Sequence, residues 1–114
     1  MIAVIFELAP RAGAEARYFE LAAALKPTLE AIDGFISVER FESVTRPGHF
    51  VSLSFWRDED AVRAWRCQSS HRSAQREGRD AVFADYRLRV ATVLRDYGLH
   101  ERGQAPDDSR AALL

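Results

Sequence analysis

The sequence predicts an α+β fold of the ferredoxin-like type, with elements in the order β-α-β-β-α-β and four strands in one antiparallel sheet. Three observations carry this prediction. Apolar residues alternate in four segments, and they recur at helical spacing in two regions between those segments. A Pro-Gly turn joins the two central strand segments. We therefore expect the helices to cover one face of the sheet.

Length and composition indicate one ordinary domain. The 114 residues are 47% hydrophobic and 29% charged, with a formal net charge of -1, so no nucleic-acid partner is expected. No apolar run reaches the roughly 20 residues of a membrane span, and MIAVIFELAP does not read as a signal peptide. We expect a cytoplasmic protein. The single cysteine, Cys67, excludes an internal disulfide, argues against zinc and is expected to be inert.

The first part of the chain is expected to form a strand and a helix. Residues 2–8 alternate as a strand that is mostly apolar on both faces, and Pro10 should end it. Pro27 lies inside the following helical pattern and should kink or split the helix, while Gly34 should stop it. The inward face of this helix is predicted to carry Tyr18, Leu21, Ala22, Leu25, Leu29 and Ile32.

The middle of the chain is expected to form a hairpin. Residues 35–44 and 50–56 read as two antiparallel strands around the Pro-Gly turn. In the second strand Ser52, Ser54 and Trp56 share one face, which predicts a cavity wall there rather than a dry core.

Two short helices and a long strand should complete the fold. Asp58 is a predicted N-cap for the first short helix. Ser69 or Ser70 should cap the second, which Gly78 should end. The last strand is predicted over residues 82–97.

Several strands are apolar on both faces, although the helices can cover only one. A second copy of the sheet is the simplest cover for the other face, so we expect a homodimer with its sheets packed face to face. Residues 1–98 are expected to form this domain, and residues 99–114, which are polar and contain helix breakers, a flexible C-terminal tail.

Four passages resemble the antibiotic biosynthesis monooxygenase (ABM) family: IAVIFEL, EAIDGFISVERFES, SLSFWRDEDAVRAWR, and HRSAQREGR with DYRLRVATVLRDYG. The resemblance covers roughly residues 1–98. It implies a dimeric α/β barrel with a pocket in each subunit between the sheet and the second helical region. Some members of the family oxidise phenolic intermediates to quinones with molecular oxygen and no cofactor, whereas others degrade haem or act on small signalling molecules.

The haem-degrading branch fits this chain less well. The resemblance would require an Asn where this chain has Glu7. It would also require a haem-ligating His at the position nearest Gln75, although the Trp of that branch has a counterpart in Trp65. Two of three positions differ, so haem degradation is the least favoured reaction.

His71 is the sharpest candidate for catalysis. A histidine with a pKa near its ordinary value can take a proton from a phenol, and the resemblance strengthens this interpretation. Alternatively, it is a partly exposed histidine at the start of a helix. Trp65, Phe55 and Trp56 would form the apolar wall of the pocket, or simply fill the core.

Other polar residues have two interpretations each. Arg72, with Arg76 and Arg79, would hold an anionic oxygen or form a solvated surface paired with nearby acids. Tyr86 would donate its hydroxyl to a ligand or lie at the rim of the sheet. Glu7, a lone charge in an apolar strand, needs a partner, for which Arg89 and Arg40 are candidates.

The sequence thus favours a cofactor-independent monooxygenase that oxidises a small aromatic or phenolic molecule of the quinol type with molecular oxygen. The site would consist of His71 as base, an aromatic wall, and Arg72 or Tyr86 near the developing charge. No metal, flavin or haem is expected. The alternative is a dimeric small-molecule-binding module that catalyses no reaction.

Overall fold

The computed structural model describes residues 1–110 and has the predicted order of elements. Four strands form a single antiparallel sheet in the order β2-β3-β1-β4. This arrangement confirms the α+β, ferredoxin-like fold. The strands are β1 (Ile2–Pro10), β2 (Phe35–Glu42), β3 (Phe50–Trp56) and β4 (Phe83–Thr92). The helices are α1 (Glu15–Glu30), α2 (Glu59–Arg66), α3 (Ser69–Glu77) and α4 (Asp107–Arg110), with a π-helical turn at Gly78–Val82.

The two faces of the sheet differ in what covers them. The cavity face carries Ile2, Val4, Phe6 and Leu8 of β1, and helices α1 and α2 and the π-helical turn pack against it. The open face carries Ala3, Ile5 and Glu7 of β1, together with their cross-strand partners. Two clusters of buried residues on the cavity face form the core: Ile2, Leu29, Trp56, Ala61 and Val62 in one, and Leu8, Tyr18, Phe50 and Val82 in the other.

Helix α1 is continuous from Glu15 to Glu30, so Pro27 does not split it, and a kink at Pro27 stays a prediction. Proline lacks the N–H that would bond to the carbonyl of Ala23, but its fixed φ is itself helical. Leu29, beyond the proline, is 4% exposed, and its burial in the core keeps the last turn in place. The helix ends before Gly34, but it does so at Glu30 with Ala31 as a right-handed C-cap residue; Gly34, with a φ of +92°, lies in the turn that leads into β2.

The ends of α2 and α3 differ in how well they were predicted. The Asp58 carboxylate accepts a hydrogen bond of 2.9 Å from the backbone N–H of Ala61, which confirms the N-cap of α2. The cap of α3 is Gln68 instead of a serine, since its side-chain oxygen accepts from the backbone N–H of His71 at 2.9 Å.

Helix α3 ends at Glu77 with Gly78 as its C-cap residue, which confirms the predicted end. The backbone of Gly78 nevertheless stays right-handed, and the chain continues into the π-helical turn. A Cβ atom at this position would come within 2.5 Å of the Phe83 ring, so the glycine is also needed for close packing.

The first and last strands of the chain have different limits from those predicted. Strand β1 continues to Pro10, where its pairing with β4 shifts register and no N–H is needed. Strand β4 ends at Thr92 instead of residue 97, because Thr92 already pairs with Ile2, the first residue of β1. Beyond this pair the backbone N–H of Val93 still donates to the Met1 carbonyl at 3.0 Å, and the regular ladder of β4 stops there.

Glu7 lies on the open face, where its carboxylate is 3.2 Å from the guanidinium of Arg89. This contact confirms Arg89 as its partner. Arg40 pairs across β2 and β3 with Ser52, on the cavity face, and is therefore on the wrong side of the sheet. Both side chains of the Glu7–Arg89 pair are about half exposed, so its contribution to stability is small.

Residues 99–110 include the short helix α4 and a buried Ala105 that is 3% exposed. The domain boundary near residue 98 and the flexible tail stay predictions, and residues 111–114 lie outside the described part of the chain. Within residues 1–110, every helix is too short or too polar to cross a membrane.

Candidate functional site

A cavity of about 540 Å³ lies between the cavity face of the sheet and helices α1 to α3. Its volume suits a small organic ligand. Apolar side chains from β1, β4, α1 and α2 form most of its wall, among them Val4, Phe6, Leu21, Leu25, Val62, Leu88 and Val90. Ser52, Ser54 and Trp56 also line it, which confirms the cavity wall predicted on β3.

His71 is held against the indole of Trp65. The two rings are nearly parallel, with an interplanar angle of 18° and a centroid distance of 4.2 Å. The imidazole Nδ1 lies 3.1 Å from the backbone carbonyl oxygen of Trp65. A carbonyl oxygen can only accept, so Nδ1 carries the proton of the neutral ring and Nε2 bears the free lone pair. Nε2 is therefore the atom that can act as a base.

The pKa of His71 is lowered from its ordinary value. Burial of the ring is the main cause, and the nearby positive charge of Arg72 acts in the same direction. The hydrogen bond to the Trp65 carbonyl opposes these effects. The ring is consequently neutral at pH 7, which is the state that a general base requires.

Trp56 packs against Trp65 of this pair. It is 1% exposed, and its indole N–H donates to the Ser54 hydroxyl at 2.9 Å. The centroid of its ring lies 6.4 Å from that of Trp65, in a stacked arrangement, and 5.4 Å from that of Phe35, in a T-shaped arrangement. Trp56 is thus mainly a core residue that fixes Trp65, and Trp65 in turn fixes His71.

Of the residues that the structure describes, five arginines and no Asp or Glu line the cavity: Arg40, Arg66, Arg72, Arg76 and Arg79. The sequence predicted that nearby acids would pair with these arginines. One of those acids, Glu77, pairs instead with Arg17 at 2.5 Å, and this contact lowers the pKa of the Glu77 carboxyl. Arg79 has an ion pair of 3.8 Å with Asp80. Among the described residues, Arg72 and Arg76 form no ion pair with an acid.

The structure brings together five of the six residues predicted to form the site: His71, Trp65, Trp56, Arg72 and Tyr86 all line the cavity. Phe55 does not. It lies beside Ile36 and Val93 on the open face, because side chains alternate along β3 and Phe55 follows the inward-facing Ser54. Its predicted place in the same wall as Trp65 was wrong. Tyr86 is 49% exposed and lies where the cavity opens along β4.

Two lining residues, Tyr18 and Arg40, were not predicted as part of the site. The hydroxyl of Tyr18 and the Nε of Arg40 are both buried, and neither has a hydrogen-bond partner within residues 1–110. A signal was present in the sequence. Arg40 has the same parity in β2 as the inward-facing Val38, so strand alternation alone would have placed a charged side chain on the cavity face.

Cofactor groups have few possible ligands in this cavity. Within residues 1–110, no three His, Cys, Asp or Glu side chains are grouped closely enough to hold a metal ion. Gln75, at the position where haem-degrading members of the family would have their histidine, lines the cavity. Cys67 is exposed, at the C-cap of α2.

Comparison with known proteins identifies the family. The antibiotic biosynthesis monooxygenase family model matches residues 1–77. A curated relative from Pyricularia oryzae, named jasmonate monooxygenase ABM, is 48% identical over 93 residues, which are 82% of this chain and 43% of that protein. The match to a second curated relative covers 51% of that protein, so the chain spans about half the length of the curated relatives it matches.

Solved structures agree on the fold. A putative antibiotic biosynthesis monooxygenase from Deinococcus radiodurans superposes with a TM-score of 0.76 at 17% identity, covering 86% of this chain and 97% of that one. SnoaB, a cofactor-independent oxygenase from Streptomyces nogalater, gives a TM-score of 0.72 at 16% identity, covering 83% and 94%. With most of its length matched by the family model, the chain belongs to the antibiotic biosynthesis monooxygenase family.

Proposed function

We propose that the protein is a cofactor-independent monooxygenase that oxidises a small phenolic or quinol-type molecule with molecular oxygen. One observation carries the proposal: a neutral His71, with its Nε2 unprotonated, lies on Trp65 in the wall of a mostly apolar cavity. The names of the fungal relative and of SnoaB, a monooxygenase and an oxygenase, support the reaction class.

The proposed reaction needs no external reductant. His71 Nε2 takes the phenolic proton, and the resulting phenolate donates electrons to oxygen. One oxygen atom forms a new C–O bond in the product, which becomes a quinone. The other leaves as water, together with the two hydrogen atoms that the substrate loses. The apolar wall excludes solvent and Trp65 orients the planar ring, so the protein contributes a base, orientation and desolvation.

Negative charge develops on the substrate oxygen when the proton leaves. Arg72, which follows His71 directly and lines the cavity without an ion-pair partner among the described residues, is the proposed stabiliser of this charge. The hydroxyl of Tyr86, at the open side of the cavity, is a second donor that a ligand could reach.

We also propose that the working unit is a homodimer in which the open faces of two sheets pack together. Support comes from the apolar side chains on that face, including Ile36 at 52% and Phe41 at 44% exposure. The pair of Glu7 and Arg89 would satisfy its own charges within such an interface. Sedimentation at micromolar concentration tests this, and a monomeric mass would overturn it.

The test of the reaction is oxygen uptake with a panel of naphthols and quinols, comparing the parent protein with His71→Ala. His100→Ala is the matched control, because His100 is exposed and lies outside the cavity. We expect uptake with at least one compound, lost in His71→Ala and kept in His100→Ala. If no compound is oxidised but several bind, the chain is a small-molecule-binding module. A Soret shift on adding haemin would favour haem degradation.

A further inference from the structure

We propose that Tyr18, Arg40 and Ser52 form a binding subsite for a carboxylate carried by the substrate. The inference rests on the proposed function, because it names the class of molecule that the oxygenase would accept: a phenol or quinol bearing a carboxylate on a side chain. Tyr18 and Arg40 take no part in the chemistry assigned to His71.

The first observation is that two neighbouring buried groups, the Tyr18 hydroxyl and the Arg40 Nε, are not fully hydrogen-bonded. Tyr18 is 5% exposed, yet its hydroxyl has no hydrogen-bond partner within residues 1–110, and the same holds for Arg40 Nε. Leaving a buried polar group unpaired costs free energy, so such groups in native proteins usually have a ligand or a water as partner. Both side chains line the cavity, where a bound ligand could reach them.

The second observation is the charge of Arg40. It forms no ion pair with any Asp or Glu among the described residues, and no acid lines the cavity. The other four lining arginines are exposed, whereas Arg40 is partly buried. A guanidinium that is partly removed from water needs a counter-charge, and residues 1–110 provide none here.

The donors fit a carboxylate. A guanidinium presents parallel N–H groups that match the two oxygens of a carboxylate. Burial raises the pKa of Tyr18, although the charge of Arg40 and the closeness of its guanidinium N–H groups to the hydroxyl partly offset this, so the phenol stays protonated and can donate at neutral pH. Ser52, the cross-strand partner of Arg40, adds a hydroxyl on the same face.

The position of the subsite sets the shape of the ligand. Two residues of β3 mark the two ends of the cavity. Ser52 pairs with Arg40, and Trp56, four residues further along the strand, packs against Trp65. Four residues of a strand span roughly 13 Å. A substrate that reaches both ends therefore has its oxidised ring and its carboxylate on the order of 10 Å apart, joined by an apolar linker that packs against the wall between them.

Binding measured without oxygen tests the subsite independently of turnover. The probes are 4-(hydroxynaphthyl)butanoate and its primary amide, titrated calorimetrically under nitrogen. The protein should bind the acid about 10-fold or more tightly than the amide, as expected for hydrogen bonds to a charged group. In Arg40→Met the two affinities should become equal, and Tyr18→Phe should weaken binding of the acid about 3-fold to 10-fold.

Arg63→Met is the control, because Arg63 is an exposed arginine outside the cavity and its loss changes the net charge equally. It should keep the preference for the acid. Retention of that preference in Arg40→Met and Tyr18→Phe would overturn the proposal and assign the carboxylate to the exposed arginines. No preference in the parent protein would overturn it too. Should Arg40→Met fail to fold, Tyr18→Phe decides.

The two proposals can fail separately. If Arg40→Met abolishes the preference for the acid while no phenol is oxidised, the subsite stands and the proposed reaction does not. If oxidation depends on His71 while the ratio of affinities does not depend on Arg40, the reaction stands and the subsite is overturned.

Discussion

The two ends of the cavity differ in how their polar groups are satisfied. At the His71 end, the imidazole bonds to the Trp65 carbonyl at 3.1 Å and the Trp56 indole to Ser54 at 2.9 Å. At the Arg40 end, the Tyr18 hydroxyl and the Arg40 Nε have no partner among the described residues.

This difference separates a group that is oriented in advance from a group that still needs a ligand. A base must have its tautomer and direction fixed before substrate arrives, and the Trp65 carbonyl fixes both for His71. Donors for a substrate carboxylate must stay unpaired until it binds, at a cost in stability. The His71 end should therefore control the rate of reaction, and the Arg40 end the affinity.

The largest expected effect separates these roles by kinetics. His71→Gln should lower kcat by about 10²-fold to 10⁴-fold and leave KM nearly unchanged, because it removes the base and keeps a side chain of similar polarity. Arg40→Met should raise KM for a carboxylate-bearing phenol and leave kcat largely intact. Steady-state oxygen uptake measures both constants, and a kcat loss of equal size in both variants would contradict the division.

Removing Trp56 should have the largest effect on stability. Trp56→Ala should lower the free energy of unfolding by about 3–5 kcal/mol, since it leaves a cavity beneath Trp65 and breaks the bond to Ser54. Urea unfolding followed by circular dichroism measures the change. Leu94→Ala is the control at an 86%-exposed apolar residue and should change little. A small loss of unfolding free energy in Trp56→Ala would mean that the stacked rings of Trp56, Trp65 and His71 contribute little to the core.

At the Arg40 end of the cavity, removing the Tyr18 hydroxyl should not lower stability. Tyr18→Phe removes a buried hydroxyl without a partner and keeps the ring among Phe50, Phe83 and Phe19. The free energy of unfolding should stay the same or rise by up to about 1 kcal/mol. The same urea experiment checks this, and a loss of several kcal/mol would show that the hydroxyl has a structural partner.

The smallest effect concerns pH. The pKa of His71 is lower in the folded protein than in the unfolded chain, where it is about 6.5. Below that value the unfolded chain binds a proton that the folded protein does not, so stability should fall as the pH drops from 7 through the folded pKa. His71→Gln should lose this part of the slope. Urea unfolding at several pH values measures it, and identical slopes would contradict the lowered pKa.

Much of the fold follows from local patterns in the sequence. Strand parity alone placed Val4 and Phe6 opposite Ile5 and Glu7, and the Pro-Gly turn fixed the pairing of β2 with β3. The errors arose where packing overrides a local signal. Pro27 did not split its helix because Leu29 anchors the last turn, and Gly78 ends α3 in a right-handed conformation, packed against the Phe83 ring.

The site was less predictable because a cavity depends on which elements face each other. His71, Trp65 and Tyr86 were found from one segment and one strand. Tyr18 and Arg40 come from α1 and β2, and the lack of partners for their polar atoms is visible only once all surrounding side chains are in place. Phe55 was misplaced although its parity with the outward-facing Leu53 already indicated the open face.

The most direct test of the central claim is a crystal structure of the anaerobic complex with 4-(hydroxynaphthyl)butanoate. We expect the naphthyl ring against Trp65, its hydroxyl within hydrogen-bond distance of His71 Nε2, and the carboxylate on Arg40 and Tyr18. A ligand bound in the reverse direction, or bound only outside the cavity, would contradict the assignment of a reactive end and a binding end.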